Sequence, residues 1–330
     1  MNWDLKSLFI KIKELEKRIE QVSDTTQKYA LQYDLINLKT MVNFLSKTPV
    51  YVLKNCNRQI LDYDFNLDMV SFLEKESPKI RRLLTNAANL YHVPIKICYN
   101  QVIRLDEYDL LLKEFFESFN LKFNLIYEKY KRENRIEISR KKYDSKTCDG
   151  ECRYILSEKE CYISVRHINR LSTISILPHE IAHAEQFRNC DNIITSQNKM
   201  NSLLCEAYPI FVEYAFIDFL KQTKYFKYAF KEEGNKINGF LCSLEYDLPY
   251  LNGKEFIQNK SYNTLLISHL VALYWLELYR ECPNYLIQEI DDFNYNFGKE
   301  KVSEFFEKNR LEDVTEGMHM SLSRYLDNYR

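Results

Sequence analysis

The stretch "LPHEIAHAEQF", Leu177 to Phe187, decides how this chain is read. It holds two of the six histidines, four residues apart, with Glu180 directly after the first. On a helix, positions i and i+4 stack one turn apart on one face, so His179 and His183 can aim two imidazoles at one ion. Glu180 then lies on the flank. In the H-E-x-x-H arrangement the histidines bind zinc, and the glutamate takes a proton from the activated water. Composition alone produces the pattern in about one chain of this kind in a hundred. Pro178 fits only the first turn of a helix, where the backbone N–H it lacks would have no intrahelical partner. A helix capped by Ser175 satisfies this, with the loop "RHINRLST" before it and, before that, the short apolar run "CYISV" (Cys161–Val165), which is expected as a strand.

A catalytic zinc site needs a third protein ligand and an open fourth position. Six residues past His183 stands Asn189, so the third histidine of the H-E-x-x-H-x-x-G-x-x-H class is absent. The next segment, "SLLCEAYPIFVEYAFIDFL", is apolar on nearly every face, as a buried helix is, yet carries Glu206 and Glu213. Seven residues is close to two turns, which places both carboxylates on one face. Buried carboxylates need partners, and a metal with its histidines would supply them. Glu206 is assigned as third ligand and Glu213 as the partner that holds the free N–H of a ligand histidine or another polar group near it. The reverse assignment stays open, as does a pair of glutamates that reach solvent or bind Arg or Lys. Pro209 limits where this helix starts, or kinks it.

With "HEIAH" followed by "EAYPIFVE", the chain resembles the thimet oligopeptidase and oligoendopeptidase F family of zinc peptidases. Members carry a ligand glutamate a little over twenty residues after H-E-x-x-H, and another glutamate seven positions on. "YISVRHINRLSTISILPHE" is also similar to the strand and loop that precede the motif there, and "NWDLKSLF" to the start of oligoendopeptidase F. The resemblance runs from Cys148 to the C-terminus. It implies a mainly α, zincin-type catalytic domain with a small β-sheet beside the active-site helix, one zinc ion, and peptide substrates. Many members present two tyrosines seven apart, on a downstream helix, to the substrate carbonyl and the tetrahedral intermediate. "SYNTLLISHLVALYW" has Tyr262 and then His269, so the resemblance implies catalytic roles for Tyr262 and for a histidine in place of the second tyrosine. Read without the family, His269 is a lone titratable group in an apolar helix, the usual setting of a satisfied core histidine. Typical members are nearly twice as long, and the expectation is that much of the helical wall of their substrate channel is missing or reduced.

The rest of the chain supports a large helical protein. Its 330 residues are 45% hydrophobic, enough for a substantial core, and only six glycines and seven prolines interrupt it. Leu8, Ile12, Leu15, Ile19 and Val22 form one stripe, and Leu31, Leu35, Leu38, Val42 and Leu45 another. With "SDTT" between them they predict a helical hairpin over residues 5–48, its second helix capped by Ser23 or Asp24. The expected division is a helical N-terminal region, 1–90, and a catalytic domain, 91–330. Helical pattern covers Met69–Tyr91 and "LDEYDLLLKEFFESFNLKFNLIYEKYKREN", while "VPIKICYN" reads as extended.

Lys and Arg total 46 against 47 for Asp and Glu, so no overall field draws the chain to nucleic acid or an anionic membrane. The basic run Lys129–Lys146 contains Glu128, Glu133, Glu137 and Asp144 in or beside it and reads as a solvated face. The start, "MNWDLKSLFIKIKELEK", has no signal-peptide core, and "LLISHLVALYWLEL" is too short and too polar to span a bilayer. Nine cysteines without a disulfide spacing suit a reducing cytoplasm. Cys148, Cys152 and Cys161 read as ordinary thiols rather than a second metal site. No feature of the sequence sets an oligomeric state. Two other readings of function remain: a protease dedicated to one protein or precursor peptide, and a catalytically silent, zinc-stabilised binding module.

Overall fold

The computed structural model describes residues 5–46, 50, 63–91, 103–139, 150–166, 173–189, 203–248, 251, 262–297 and 302–329. The predicted strand at "VPIKICYN", Cys148 and most of the loop before the H-E-x-x-H helix lie outside them. In chain order the elements are α1 (Leu5–Gln21), α2 (Thr25–Leu45), α3 (Tyr63–Leu90), α4 (Leu105–Phe119), α5 (Leu121–Arg132), β1 (Ile136–Ser139), β2 (Gly150–Ile155), β3 (Glu160–Arg166), α6 (Ile176–Asn189), α7 (Ala207–Leu220), α8 (Phe226–Asp247), α9 (Tyr262–Glu281), α10 (Pro283–Asn296), α11 (Val302–Lys308) and α12 (Leu311–Tyr329).

The hairpin forms as its stripes predict. Of the two capping candidates, Asp24 does the work, its carboxylate accepting from the Gln27 N–H at 2.7 Å. Leu8, Ile12 and Leu15 of α1 meet Leu31, Leu38, Met41 and Val42 of α2, and the same cluster takes in Ile155 and Tyr162 from the sheet. Polar contacts fix that docking. Asp34 accepts from the backbone N–H groups of Leu156 (2.7 Å) and Ser157 (2.9 Å), and Asn37 donates to the Tyr154 carbonyl at 3.0 Å. Asp34 is only 1% exposed, so its loss strands two donors. Asp34→Ala is expected to cost about 1–3 kcal/mol in urea unfolding; an unchanged midpoint would show that water replaces the carboxylate freely.

The helical run from Leu105 divides at Asn120, whose extended backbone (φ −162°, ψ 119°) lets its side chain accept from the Lys122 N–H. Asparagine competes with a helix for backbone partners, so α4 ends and α5 starts there. The sheet around the predicted strand Cys161–Val165 has two further strands. Its order is β1-β3-β2, with β1 parallel and β2 antiparallel to β3, and Ile163 faces both Ile136 and Cys152. The run read as a solvated face therefore contributes β1, where Ile136 and even Glu137 are buried. Flanking charges hid the short I-E-I alternation. The segment "KTCDGEC" likewise supplies the first residues of β2.

α6 packs between β2 and β3 on one side and α7 on the other, while α9 lies against α7, α8, α10 and α12. α7 buries side chains all round, as its composition predicts. α3 packs on α8, α11 and α12, and its Phe72, Leu73, Ile80 and Leu84 join the main core. Inside that core sits a group of charges. Arg280 of α9 reaches Asp218 of α7 (2.7 and 3.1 Å) and Glu233 of α8 (3.3 Å), Lys221 pairs with Asp218 and Glu233, and Glu277 meets Arg280 and Arg324 of α12. Among the described residues no helix is long and apolar enough to cross a membrane.

Candidate metal centre

Ser175 begins α6 through its backbone, its carbonyl accepting from the His179 N–H at 3.1 Å, and Pro178 falls within the first turn. The predicted side-chain cap is not what its hydroxyl does: it donates to Glu213 Oε2 at 3.0 Å. The helix after Glu206 starts at Ala207, later than the sequence pattern suggests. Pro209 then needs no kink, because it too falls in the first turn. Glu206 is the N-cap residue, with its own carbonyl accepting from the Ile210 N–H at 3.0 Å, and Glu213 lies two turns further in.

These placements bring four side chains together. Glu206 Oε2 lies 3.2 Å from His179 Nε2 and 3.3 Å from His183 Nε2, and one ligand atom from each of the three residues falls within 4.8 Å of the others. Donors about 2.0–2.2 Å from a tetrahedral zinc stand about 3.3–3.6 Å apart. Both Glu206–histidine separations are close to that spacing, so the donor set fits such an ion. On the far side of the first ring, His179 Nδ1 meets Glu213 Oε1 at 2.6 Å. That contact leaves Nε2 free to bind. His183 is held differently. Its ring stacks on Phe187 (5.7 Å, 10°), and its buried Nδ1 has no hydrogen-bond partner among the described residues.

The charges around this centre are strongly coupled. Burial opposes charge on His179, but its bonds to Glu206 and Glu213 outweigh that and hold its pKa well above the usual histidine value. Burial likewise opposes ionisation of Glu206, and the two imidazoles overcome it, keeping the carboxyl far below its ordinary range. For Glu213 the Lys236 charge and the His179 bond do the same. Glu180 moves the other way: burial raises its pKa, with the histidines pulling against that. It is 5% exposed and lies against β2, so closely that a Cβ on Gly150 would stand 2.5 Å from its Oε1.

Lys236 of α8, ion-paired with Glu213 Oε2, went unread in the sequence. A trace of it was there, since Lys236 interrupts the buried stripe of Ala229, Glu232, Phe240 and Leu244. His269, on α9, also comes to this neighbourhood. Its ring lies 6.3 Å from that of Tyr214 and 5.7 Å from that of Phe240. Burial, then the Lys236 charge, push its pKa down to about 4, against the pull of Glu213 and Glu206. His269 is therefore neutral at neutral pH. Tyr262 opens α9 two turns earlier, and its side chain lies outside the described residues. Cys152 and Cys161 are free thiols on β2 and β3, the strands that pack beside α6.

No protein-family model matches the chain, and no curated protein matches its sequence. Solved structures do match. A Bacillus anthracis str. Ames protein named as an oligoendopeptidase F superposes with a TM-score of 0.53 at 14% identity, over 92% of this chain and 63% of that one. A Chlamydophila abortus protein named as a peptidase gives 0.53 at 12% identity, over 92% and 62%. Pz peptidase A, solved with an inhibitor, gives 0.56 at 13% identity, over 96% and 66%. This chain thus has the fold of the helical zincin-type peptidases. Within that class, the structures it matches are those of oligoendopeptidase F and related peptidases, the group its motifs resemble. It spans less than two thirds of the length of these neighbours, between 62% and 66%.

Proposed function

We propose that the chain is a zinc-dependent endopeptidase that hydrolyses oligopeptides, with His179, His183 and Glu206 as metal ligands. The observation that carries this is the meeting of both Nε2 atoms on Glu206 Oε2 at 3.2 and 3.3 Å, with Glu180 alongside. A zinc ion held there would lower the pKa of a water towards about 7 and polarise a substrate carbonyl. Glu180 would act as the general base, taking a proton from the attacking water and returning it to the leaving amine. Its raised pKa suits a group that must both take and return a proton. Glu213 holds His179 in the tautomer that presents Nε2. Tyr262 or His269, the latter as a neutral N–H donor, steadies the carbonyl oxygen as charge develops on it.

A silent, zinc-stabilised module is disfavoured because the centre reaches solvent. The side chains of His179 and Glu206 keep 17% and 25% of their exposure, whereas structural zinc sites are closed by a fourth protein ligand. A dedicated processing protease uses the same site and differs only in substrate. Metal analysis of the purified chain beside quenched-fluorescence peptides of increasing length tests both points. The expected result is one zinc per chain and cleavage abolished by chelation, with short unstructured peptides among the substrates. Zinc without cleavage of any peptide would favour the silent module, and cleavage confined to one sequence the processing enzyme.

A further inference from the structure

Gly150 has no conformational reason to be glycine. It pairs with Val165 in a regular strand, and its φ is not in the left-handed region. Any residue adopts that backbone, and glycine weakens a strand. What singles the position out is space. A Cβ there would lie 2.5 Å from Glu180 Oε1, 2.5 Å from Ile176 Cγ2 and 3.0 Å from Glu180 Cγ. Gly239, by contrast, has nothing within 4 Å of the same construction.

We propose that Gly150 is a positioning residue for the proposed hydrolysis: the bare strand at the start of β2 is the surface against which the Glu180 carboxylate rests. This inference rests on the peptidase reading of the site. The physical argument turns on what yields when the space is filled. β2 is fixed by its ladder to β3, and α6 is buried between the sheet and α7. The carboxylate is the free end of a flexible side chain, so it moves first, by about 1 Å to restore an ordinary contact. The two histidines lie on the metal-facing side of α6 and stay in place. A displacement of about 1 Å in a reacting group costs about a hundredfold in rate.

The test is Gly150→Ala, with Gly239→Ala as control. Expected are a kcat about a hundredfold lower, KM and zinc affinity within about twofold of the parent, and a folded chain by circular dichroism. Combining it with Glu180→Ala should add no further loss, since the proton acceptor is already gone. Ile176→Ala in the Gly150→Ala background separates packing from positioning: it removes the second clash but leaves the carboxylate displaced, so kcat stays low. Restored kcat in that double variant would overturn the proposal, as would an unchanged kcat in Gly150→Ala or a loss of zinc. A crystal structure of Gly150→Ala gives a reading that does not depend on turnover. Glu180 should have moved while His179 and His183 have not, and an unmoved Glu180 overturns the proposal. If the parent chain cleaves no peptide at all, it is the peptidase reading that fails, and the position of Glu180 in that crystal still decides the role of Gly150.

Discussion

Glu180→Gln is expected to lower peptide turnover by about a hundredfold to ten-thousandfold while leaving one zinc per chain. The amide keeps the size and burial of the carboxylate but has no lone pair basic enough to take a proton at neutral pH. Glu180 makes no ion pair with Lys or Arg among the described residues, and the candidate ligands are His179, His183 and Glu206. Loss of charge at Glu180 therefore removes the proton acceptor and not the ion. Equilibrium metal titration and single-turnover cleavage, run on the same preparation, separate the two effects. Turnover within a few fold of the parent would remove Glu180 from the mechanism, and loss of zinc would make it a ligand.

The largest stability effect is expected from Arg280→Met. Arg280 is 15% exposed and holds Asp218 by two hydrogen bonds of 2.7 and 3.1 Å, with Glu233 and Glu277 within 3.4 Å. Removing one member of a buried pair costs about 3–5 kcal/mol, because the remaining charge is left in low dielectric. Lys221 and Arg324 still serve these acids, which places the expectation near the lower end, about 3 kcal/mol by urea unfolding. The pH dependence has a definite sign. Burial opposes ionisation of Asp218, but Arg280 and Lys221 outweigh it, so its pKa in the folded chain lies below the ordinary 3.8. A carboxyl with a depressed pKa stabilises the fold above its unfolded value and loses that contribution as pH falls through the folded one. The gap between variant and parent should therefore be full above about pH 4 and shrink in stronger acid. A gap independent of pH would place the loss in packing of the guanidinium stem.

Local spacing made the centre legible. His179, Glu180 and His183 share one helical turn, and Glu206 and Glu213 sit two turns apart in a run too apolar to hold them without partners. The hairpin was legible for the same reason, since its stripes are continuous over several turns. What escaped was set by contacts between distant segments. Gly150 is ordinary until β2 is laid against α6, and Lys236 is one lysine among many until α8 is laid against α7. β1 carries too few apolar residues among its charges to announce a strand, and parallel pairing with β3 supplies what its composition lacks. Asn120 could have been read as a break, but the apolar period runs through it on both sides.

Glu206 approaches the centre from the N-cap of a helix, whereas the two histidines come from within another. The aligned peptide dipoles of α7 carry partial positive charge at that end, worth about 0.3–1 kcal/mol to an anion placed there. Its carboxylate is thus kept ionised by the scaffold as well as by the imidazoles. All three side chains are anchored on or at the start of packed helices, so a cation bound there would have little chain entropy to freeze and chiefly a proton to displace. Loading would then be an exchange of one positive charge for another, with acidity as its natural antagonist.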